Sequence, residues 1–459
     1  MLDKSLVNKF KEIIKENGTI FTEEDQLACY SYDAYAEIPV LPDIVVKPSN
    51  YEQIEKIIKL CNDANIPLIT RGAGTNLSGG TVPKTGGCVL LTTGFNKILE
   101  INENDLYAVV QSGVITANLA KAVESKGLFY PPDPGSMNIS TIGGNVAENA
   151  GGLRGLKYGV TKDYVMGINF FCPEGNYVKS GGKTVKLVTG FNLHGLMISS
   201  EGMLGVMTDI TLKLIPKPKA SKSMLVLFKD MITACEMVSA IIAAKIVPAT
   251  LEFLDNFTIN TVEEASKIGL PTDAGALLLI EVDGYEGQVE EEFSKILEIS
   301  KKMGGDLKVA NSLEERNKIW EARRKALSSL ARLKPTLILE DATVPRSKIP
   351  EMMRRIQAIT KKYNLTIGTF GHAGDGNLHP TILTDRRNKE EMERVEKAID
   401  EIFEAALDLE GTLSGEHGVG TAKAKYLERE VGKGTIIYMK KLKNGTDPKN
   451  ILNPHKMGL

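Results

Sequence analysis

Several features that would place the sequence of 459 residues in a familiar class are missing. Its five cysteines form no Cys-x-x-Cys pair, which argues against an iron–sulfur cluster or a disulfide framework and favours a reducing compartment. No run approaches the roughly 18 apolar residues of a membrane span, and the first ten residues lack the apolar stretch of a signal peptide. The 56 basic and 58 acidic residues nearly balance, so no charge excess favours nucleic acid or an anionic membrane. We therefore expect a cytoplasmic protein with no nucleic-acid partner and no integral membrane segment.

Glycine, by contrast, is plentiful and concentrated in a few stretches. The first, RGAGTNLSGG (71–80), follows the apolar run 66–70, which is typical of a short buried strand. Glycine allows a second molecule to approach the backbone closely, and freed N–H groups bind anionic oxygens such as those of a pyrophosphate. Leu77 breaks the dinucleotide glycine pattern, and Tyr177 stands where a P-loop ending at 182–184 would need glycine. A simple glycine-rich surface turn is the alternative interpretation.

Two later stretches have a similar composition. Residues 131–163 contain seven glycines among small polar residues and are too long for an ordinary connection, and residues 199–208 (SSEGMLGVMT) run into a strand. We interpret the longer stretch as the wall of a cleft for an extended ligand, because loops carry sites on rigid scaffolds. A long ordered surface excursion is the alternative.

The pattern of elements predicts two kinds of domain. A helix over 3–17, a strand over 43–47, a helix introduced by a capping box at Ser49 and Glu52, and the strand before the first glycine stretch form an α/β pattern. Pro216 and Pro218 then indicate a boundary. Beyond it, strands at 223–228, 249–254 and 276–282 alternate with helices at 230–244 and 286–303, which favours a small α+β cap.

Three of the five histidines lie in glycine- and acid-rich motifs near the end of the chain. Asp375-Gly376 is a strong hairpin signal and predicts that His372 pairs directly across from His379, with Cβ atoms about 4.5–5.5 Å apart. The motif 414–418 (SGEHG) supplies a carboxylate and another imidazole. Two histidines and one carboxylate are a common arrangement for Zn, Fe or Mn. A polar turn with solvent-facing histidines is the alternative.

Taken together, RGAGTNLSGG, residues 131–165 and SSEGMLGVMTDITLKL resemble the FAD-binding module of the vanillyl-alcohol-oxidase/p-cresol-methylhydroxylase superfamily. GHAGDGNLHP (371–380), SGEHGVG (414–420) and LNPHKMG (452–458) are similar to motifs of the FAD-linked 2-hydroxy-acid dehydrogenases, which include D-lactate dehydrogenase and the catalytic subunit of glycolate oxidase.

The resemblance implies an α+β fold with a two-lobed FAD-binding domain of the p-cresol-methylhydroxylase (PCMH) type, a cap with an antiparallel sheet, and a C-terminal segment that returns to the flavin. The boundaries it suggests are an N-terminal helical segment at 1–37, the FAD-binding domain at 38–217, the cap at 218–413 and the C-terminal segment at 414–459.

Site residues follow from the same resemblance. His372, His379 and Glu416 match the family's metal ligands, and His417 matches its catalytic base. Arg323, in the motif Trp-x-x-Arg, matches the arginine that binds the substrate carboxylate; the adjacent Arg324 is the alternative. The positions that match FAD contacts are Arg71, Gly72, Gly74, Thr75, Asn76, Gly79, Ser136, Thr141, Gly144, Asn145, Gly205, Val206 and Asn453.

The implied activity is oxidation of a 2-hydroxy acid, with D-lactate first and glycolate second, by FAD and a divalent metal. Some relatives tether FAD through a histidine just after the first glycine loop, where this chain has Thr75-Asn76-Leu77, so non-covalent FAD is expected. Electrons are expected to pass to a protein such as an electron-transferring flavoprotein. D-2-hydroxyglutarate dehydrogenase and an oxygen-using oxidase are the alternatives.

Overall fold

The computed structural model describes residues 2–36, 38–310 and 313–459, apart from the side chains of 313, 314 and 316–319. The helices in this part of the chain are α1 Lys4–Ile14, α2 Glu24–Ala28, α3 Tyr51–Ala64, α4 Thr116–Glu124, α5 Ile142–Glu148, α6 Gly155–Tyr158, α7 Leu193–Met197, α8 Met231–Ala243, α9 Asn256–Ser266, α10 Glu286–Lys302, α11 Leu313–Leu330, α12 Ile349–Tyr363, α13 Lys389–Asp408 and α14 Ala424–Thr446. The strands are β1 Thr19–Phe21, β2 Ile44–Lys47, β3 Leu68–Arg71, β4 Cys88–Leu91, β5 Ile98–Asn102, β6 Tyr107–Gln111, β7 Leu128–Phe129, β8 Val165–Phe171, β9 Tyr177–Gly181, β10 Val206–Lys213, β11 Ile215–Pro216, β12 Ala220–Phe228, β13 Thr250–Asp255, β14 Ala276–Gly284, β15 Asp306–Val309, β16 Thr336–Leu339, β17 Ala342–Thr343, β18 Thr366–His372 and β19 Asn377–Thr384.

The chain divides into two compact units. The first unit consists of residues 1–151, 160–217 and 416–459, and the second unit consists of residues 152–159 and 218–415. Both units are therefore assembled from separated stretches of sequence. None of the described helices has the length and apolar character needed to cross a membrane.

The first unit contains two main sheets. One has the order β1-β2-β4-β3, in which β2, β4 and β3 are parallel, and the other is the antiparallel sheet β5-β6-β10-β8-β9. Its largest core packs α1 and α3 against the first sheet, with Phe10, Ile54 and Leu90 among the fully buried residues. The parallel strands are buried on both faces, as expected for strands covered by helices.

The start of α3 differs from the predicted capping box. Asn50, rather than Ser49, is the N-cap: its side chain accepts a hydrogen bond from the Gln53 amide at 2.9 Å, and its backbone is extended. Gln53 reaches back instead and accepts the Ser49 amide at 2.7 Å. The prediction was therefore wrong by one residue, because Ser49 and Asn50 are both good capping residues and the glutamine at 53 can accept a backbone amide as a glutamate can.

The C-terminal segment completes the first core. The Leu68 amide donates to the Ile451 carbonyl at 2.7 Å, and the Asn453 amide donates to the Leu68 carbonyl at 2.9 Å, so residues 451–453 lie along the free edge of β3. Ile451 and Leu452 are buried in the same cluster as Leu68. The last residues of the chain are thus structural members of the first unit.

The second unit is built on one large sheet with the order β15-β12-β14-β13-β18-β19-β16, and β17 pairs with β19. The strand pairs are antiparallel. Helices α8, α10, α12 and α13 bury an extensive core that includes Phe253, Leu278 and Ile402. The predicted α+β fold with an antiparallel sheet is therefore confirmed.

Candidate functional site

The predicted histidine hairpin exists, but its register is different. His372 pairs with Asn377, and His379 pairs with Phe370, so the prediction that His372 lies directly across from His379 is wrong. The two histidines are diagonal neighbours on one face of the sheet, because 377 and 379 are separated by one strand period. Their ring centroids are 5.3 Å apart with the rings nearly perpendicular, and both side chains are buried.

The turn explains the shift in register. It spans residues 373–376 instead of centring on Asp375-Gly376: the Asp375 amide donates to the His372 carbonyl at 3.2 Å, and Gly376 takes a left-handed φ of 91°. The Gly374 amide donates to the Leu251 carbonyl at 3.0 Å. The turn is therefore fastened to the neighbouring strand β13, a partner that the local sequence does not reveal.

Each histidine is oriented through its Nδ1 atom. His372 Nδ1 lies 2.8 Å from Glu252 Oε1, and His379 Nδ1 lies 3.3 Å from the Glu340 carbonyl oxygen. Histidines that bind metals usually make this kind of contact through one ring nitrogen and coordinate through the other. Both rings therefore make the Nδ1 contact that is typical of metal-binding histidines.

Glu252 also holds Arg323. The Arg323 Nε–Glu252 Oε2 distance is 2.5 Å, the arginine side chain is 11% exposed, and its guanidinium lies 4.8 Å from the centre of the Phe370 ring. Burial raises the pKa of Glu252, but the charges of and hydrogen bonds from His372 and Arg323 outweigh it and leave that pKa below its ordinary value. Arg324 is exposed, which supports Arg323 as the residue that faces a buried site.

Glu252 and a second acidic residue, Asp341, were not predicted from the sequence. The Asp341 carboxylate is fully buried, accepts from Asn377 Nδ2 at 2.5 Å and from Ser414 Oγ at 2.8 Å, and approaches His379 Nδ1 to 4.0 Å. A signal was present for Glu252, because an acid in the apolar run Thr250–Asp255 must be buried and needs partners.

In the first unit, the side chain of Arg71 packs against the backbone of the glycine stretch 71–80 and supports it. Arg71 Nη1 donates to the Tyr32 carbonyl at 2.7 Å, and a Cβ atom at Gly74 would lie 2.2 Å from Arg71 Nη2. Asn76 Nδ2 donates to Asp33 Oδ2 at 2.7 Å. The Arg71 and Asn76 side chains, both predicted FAD contacts, thus shape the loop.

The second glycine-rich stretch packs on the first. Thr141 is the N-cap of α5 and accepts the Gly144 amide at 3.2 Å, and Asn145 Nδ2 donates to Thr116 Oγ1 at 2.8 Å. A Cβ atom at Gly72 would lie 2.3 Å from Thr141 Oγ1. Glycine is therefore required at 72 for the two stretches to approach each other.

The C-terminal segment reaches the same loop. Asn453 Nδ2 donates to the Gly80 carbonyl at 2.8 Å and to the Glu201 carbonyl at 2.6 Å, and Lys456 Nζ donates to the carbonyls of Gly79 and Val82 at 2.8 and 2.7 Å. The predicted contact Asn453 thus lies beside Gly79 and Gly80, whereas Lys456 and Glu201 were not predicted.

The remaining predicted residues also have defined places. Ser136, in the loop before α5, accepts two backbone hydrogen bonds through its carbonyl, and Thr75 lies within the braced loop. Gly205 packs against Phe170, where an added Cβ would lie 2.7 Å from the ring, and Val206 begins β10. Glu416 and His417 open the C-terminal segment of the first unit, where Glu416 lies against Gly151 and His417 is buried.

Two family models match the chain: the FAD binding domain over residues 42–181 and the C-terminal domain of FAD-linked oxidases over residues 217–457. The chain therefore belongs to the FAD-linked oxidases and is an oxidoreductase with an FAD-binding domain. It is 56% identical over 431 residues to the glycolate oxidase subunit GlcD of Bacillus subtilis (strain 168), covering 93% of this chain and 91% of that protein.

A second sequence relative and a solved structure support the same family. The chain is 34% identical over 469 residues to a D-lactate dehydrogenase of Anaerostipes hadrus, covering 98% of this chain and 97% of that protein. The structure of p-cresol methylhydroxylase with substrate bound matches with a TM-score of 0.81 at 18% identity, covering 99% and 96% of the two chains. This likeness shows the PCMH-type fold, and the sequence relatives place the chain with FAD-dependent 2-hydroxy-acid dehydrogenases, as the motifs predicted.

The first unit fits FAD because glycines in its loop let a ligand approach the backbone closely. Gly74 and Gly79 take left-handed φ values of 69° and 74°, a backbone conformation in which amide groups can bind the anionic oxygens of a ligand. At Gly72 there is no room for a side chain against Thr141. The donor set of the second unit fits a divalent metal, because two buried imidazoles are oriented through Nδ1.

We predict that Gly72→Ala weakens FAD binding about tenfold or more, or about 1.4 kcal/mol, because the added methyl group pushes the loop away from Thr141. Fluorescence titration of the apoprotein with FAD measures the effect. Gly182→Ala is the matched control, since its Cβ meets nothing within 4 Å. Equal affinities for the two variants would show that the contact does not shape the FAD site.

Proposed function

We propose that this protein is an FAD- and metal-dependent dehydrogenase that oxidises a small 2-hydroxy acid to the 2-oxo acid and passes the electrons to a protein acceptor. The observation that carries the proposal is the buried carboxylate of Glu252, which contacts both Arg323 and His372. Because the carboxylate and hydroxyl of a 2-hydroxy acid are on adjacent carbons, a cation held beside a metal-type imidazole suits both groups of the substrate.

The order of candidate substrates changes with the relatives. The sequence motifs put D-lactate first and glycolate second. The relative that is 56% identical is named a glycolate oxidase subunit, whereas the relatives named D-lactate dehydrogenase are 31–34% identical. Glycolate, giving glyoxylate, is therefore the first candidate, and D-lactate, giving pyruvate, is the second.

The residues have separate roles in this proposal. Arg323 binds the substrate carboxylate through its planar guanidinium, and His417 removes the hydroxyl proton, a task suited to imidazole near neutral pH. His372, His379 and Glu416 would hold a divalent metal, which supplies a Lewis acid that lowers the pKa of the substrate hydroxyl. The residues of the glycine stretches would hold FAD without a covalent link, and FAD would supply the two-electron acceptor for the oxidation.

The protein acceptor is proposed from two observations. The sequence has no Cys-x-x-Cys pair and no Cys-x-x-Cys-His motif for a further redox centre. Three relatives are named glycolate oxidase subunit GlcD, and the word subunit describes each of them as one part of a larger assembly. An electron-transferring flavoprotein fits the acceptor role.

The direct test is anaerobic bleaching of the flavin by glycolate, D-lactate, L-lactate and D-2-hydroxyglutarate, followed by turnover with a dye or with oxygen. We expect glycolate or D-lactate to bleach the flavin fastest, with dye reduced far faster than oxygen. Faster bleaching by L-lactate would contradict the D-specific part of the proposal, and rapid stoichiometric peroxide formation would favour an oxidase.

The metal assignment predicts that His379→Ala loses bound metal by elemental analysis, because an imidazole ligand is removed. His194→Ala is the matched control, since His194 Nδ1 lies 3.0 Å from Ser180 Oγ within the first unit and is not among the proposed ligands. His417→Ala should keep the metal but lose turnover. Stoichiometric metal in His379→Ala would remove this residue from the ligand set.

The arginine assignment predicts that Arg323→Lys raises KM for the hydroxy acid about tenfold or more, because a point charge replaces a planar fork and loses the Nε contact with Glu252. Arg324→Lys, at an exposed neighbouring position, should change KM by less than about twofold. Steady-state kinetics decide between them, and the reverse ranking would move the carboxylate site by one residue.

A further inference from the structure

Glu201 is a buried carboxylate in the first unit to which neither the motifs nor the relatives' names assign a role. Its side chain accepts hydrogen bonds from the Val419 amide (Oε1, 2.7 Å) and from the Gly420 amide (Oε1, 3.0 Å; Oε2, 2.8 Å). The residue is 4% exposed. These contacts link the motif Ser-Glu-Gly with the turn that directly follows Glu416 and His417.

The backbone of Glu201 is itself strained and firmly held. Its φ is 48°, in the left-handed region that glutamate rarely adopts. Its amide donates to the Ala147 carbonyl at 3.0 Å, and its carbonyl accepts from Asn453 Nδ2 at 2.6 Å. Strain of this kind persists where surrounding contacts fix the conformation, and it is concentrated at functional sites.

The turn is confined from a second side by Glu148. Gly418 has a φ of 85°, and a Cβ atom there would lie 2.0 Å from Glu148 Oε2 and 3.1 Å from Glu201 Oε1. The Glu148 Oε2 atom has no hydrogen-bond partner among the described residues. Glu148 therefore limits the space of the turn, whereas Glu201 binds its amides.

We propose that Glu201 is a positioning residue whose carboxylate fixes the turn 418–420 and thereby sets the position of His417. The inference rests on the proposed role of His417 as the base. A base displaced by about 1 Å can cost on the order of a hundredfold in rate, so anchoring the turn within one residue of the imidazole is expected to affect the chemical step.

Glu201→Gln tests the proposal in the FAD-loaded protein. Glutamine preserves the volume but replaces one acceptor oxygen with an NH2 group, so the turn cannot keep all three contacts. We expect kcat to fall about ten- to hundredfold, with KM and FAD affinity nearly unchanged. The primary isotope effect on kcat with 2-deuterated substrate should rise, which a general loss of stability would not produce.

Amide hydrogen exchange provides a readout that does not depend on activity. Exchange at Val419 and Gly420 should accelerate in Glu201→Gln and not in Glu148→Gln. The latter is the matched control, because Glu148 borders the same turn but its Oε2 atom accepts no hydrogen bond from it among the described residues. If Glu201→Gln fails to bind FAD, Gly418→Ala displaces the same turn, with Gly434→Ala, which meets nothing within 4 Å, as its control.

Unchanged exchange in Glu201→Gln would overturn the proposal, and so would accelerated exchange with an unchanged kcat and isotope effect. For the alanine pair, full activity of Gly418→Ala would overturn it. The proposed function fails differently: if His417→Ala turns over hydroxy acid at the normal rate, His417 is not the base, whatever the exchange rates show.

Discussion

The carboxylate of Glu252 is the interaction on which the polar face of the second unit depends. A fully buried negative charge is costly unless charged or hydrogen-bonded partners surround it, and removing one partner of such a pair costs about 3–5 kcal/mol. Here the partners are the guanidinium of Arg323 and the imidazole of His372. Because one carboxylate serves both, the position of the cation and the orientation of the imidazole are not independent of each other. Successive side chains of a strand point to opposite faces of the sheet. Glu252 and His372 therefore lie on one face, while Leu251 and Phe253 belong to the core on the other face.

Most of the fold could be predicted because its signals are local. The helices α3, α8 and α10 and the strands around them follow from short-range patterns of apolar residues, caps and breakers. The hairpin was also predicted, but its register was not, since the turn is set by a hydrogen bond from Gly374 to Leu251 on a strand more than a hundred residues earlier. The local sequence indicates which turns are favourable, and contacts with distant residues determine which of those turns forms.

The candidate site divides in the same way. Residues with distinctive chemistry in distinctive motifs, such as His372 and His379, could be found from the sequence. The contacts that support them could not be predicted: the apolar run around Glu252 indicates that its side chain is buried but not which residues it contacts, and the partners of Asp341 are distant in sequence. The glycine loop shows a second limit of sequence motifs. Arg71 lies in the loop, as the motif predicts, but its side chain donates a hydrogen bond to the protein backbone at Tyr32 and supports the loop. A motif therefore predicts which residues lie at a binding site better than it predicts which of their atoms contact the ligand.

The closing of the first core by Ile451 and Leu452 has a consequence for biosynthesis. Residues 1–151 leave the ribosome about 260 residues ahead of the segment that begins at 416, which at about 5–20 residues per second is a delay on the order of 10 to 50 s. During that interval the edge of β3 has no partner strand from the C-terminal segment, and an unpaired edge can join another chain. The second unit is continuous except for eight residues that are made earlier, so its strands are complete before the first unit can close. The FAD-binding unit therefore lacks the backbone partner of its β3 edge until residues 451–453 have been made.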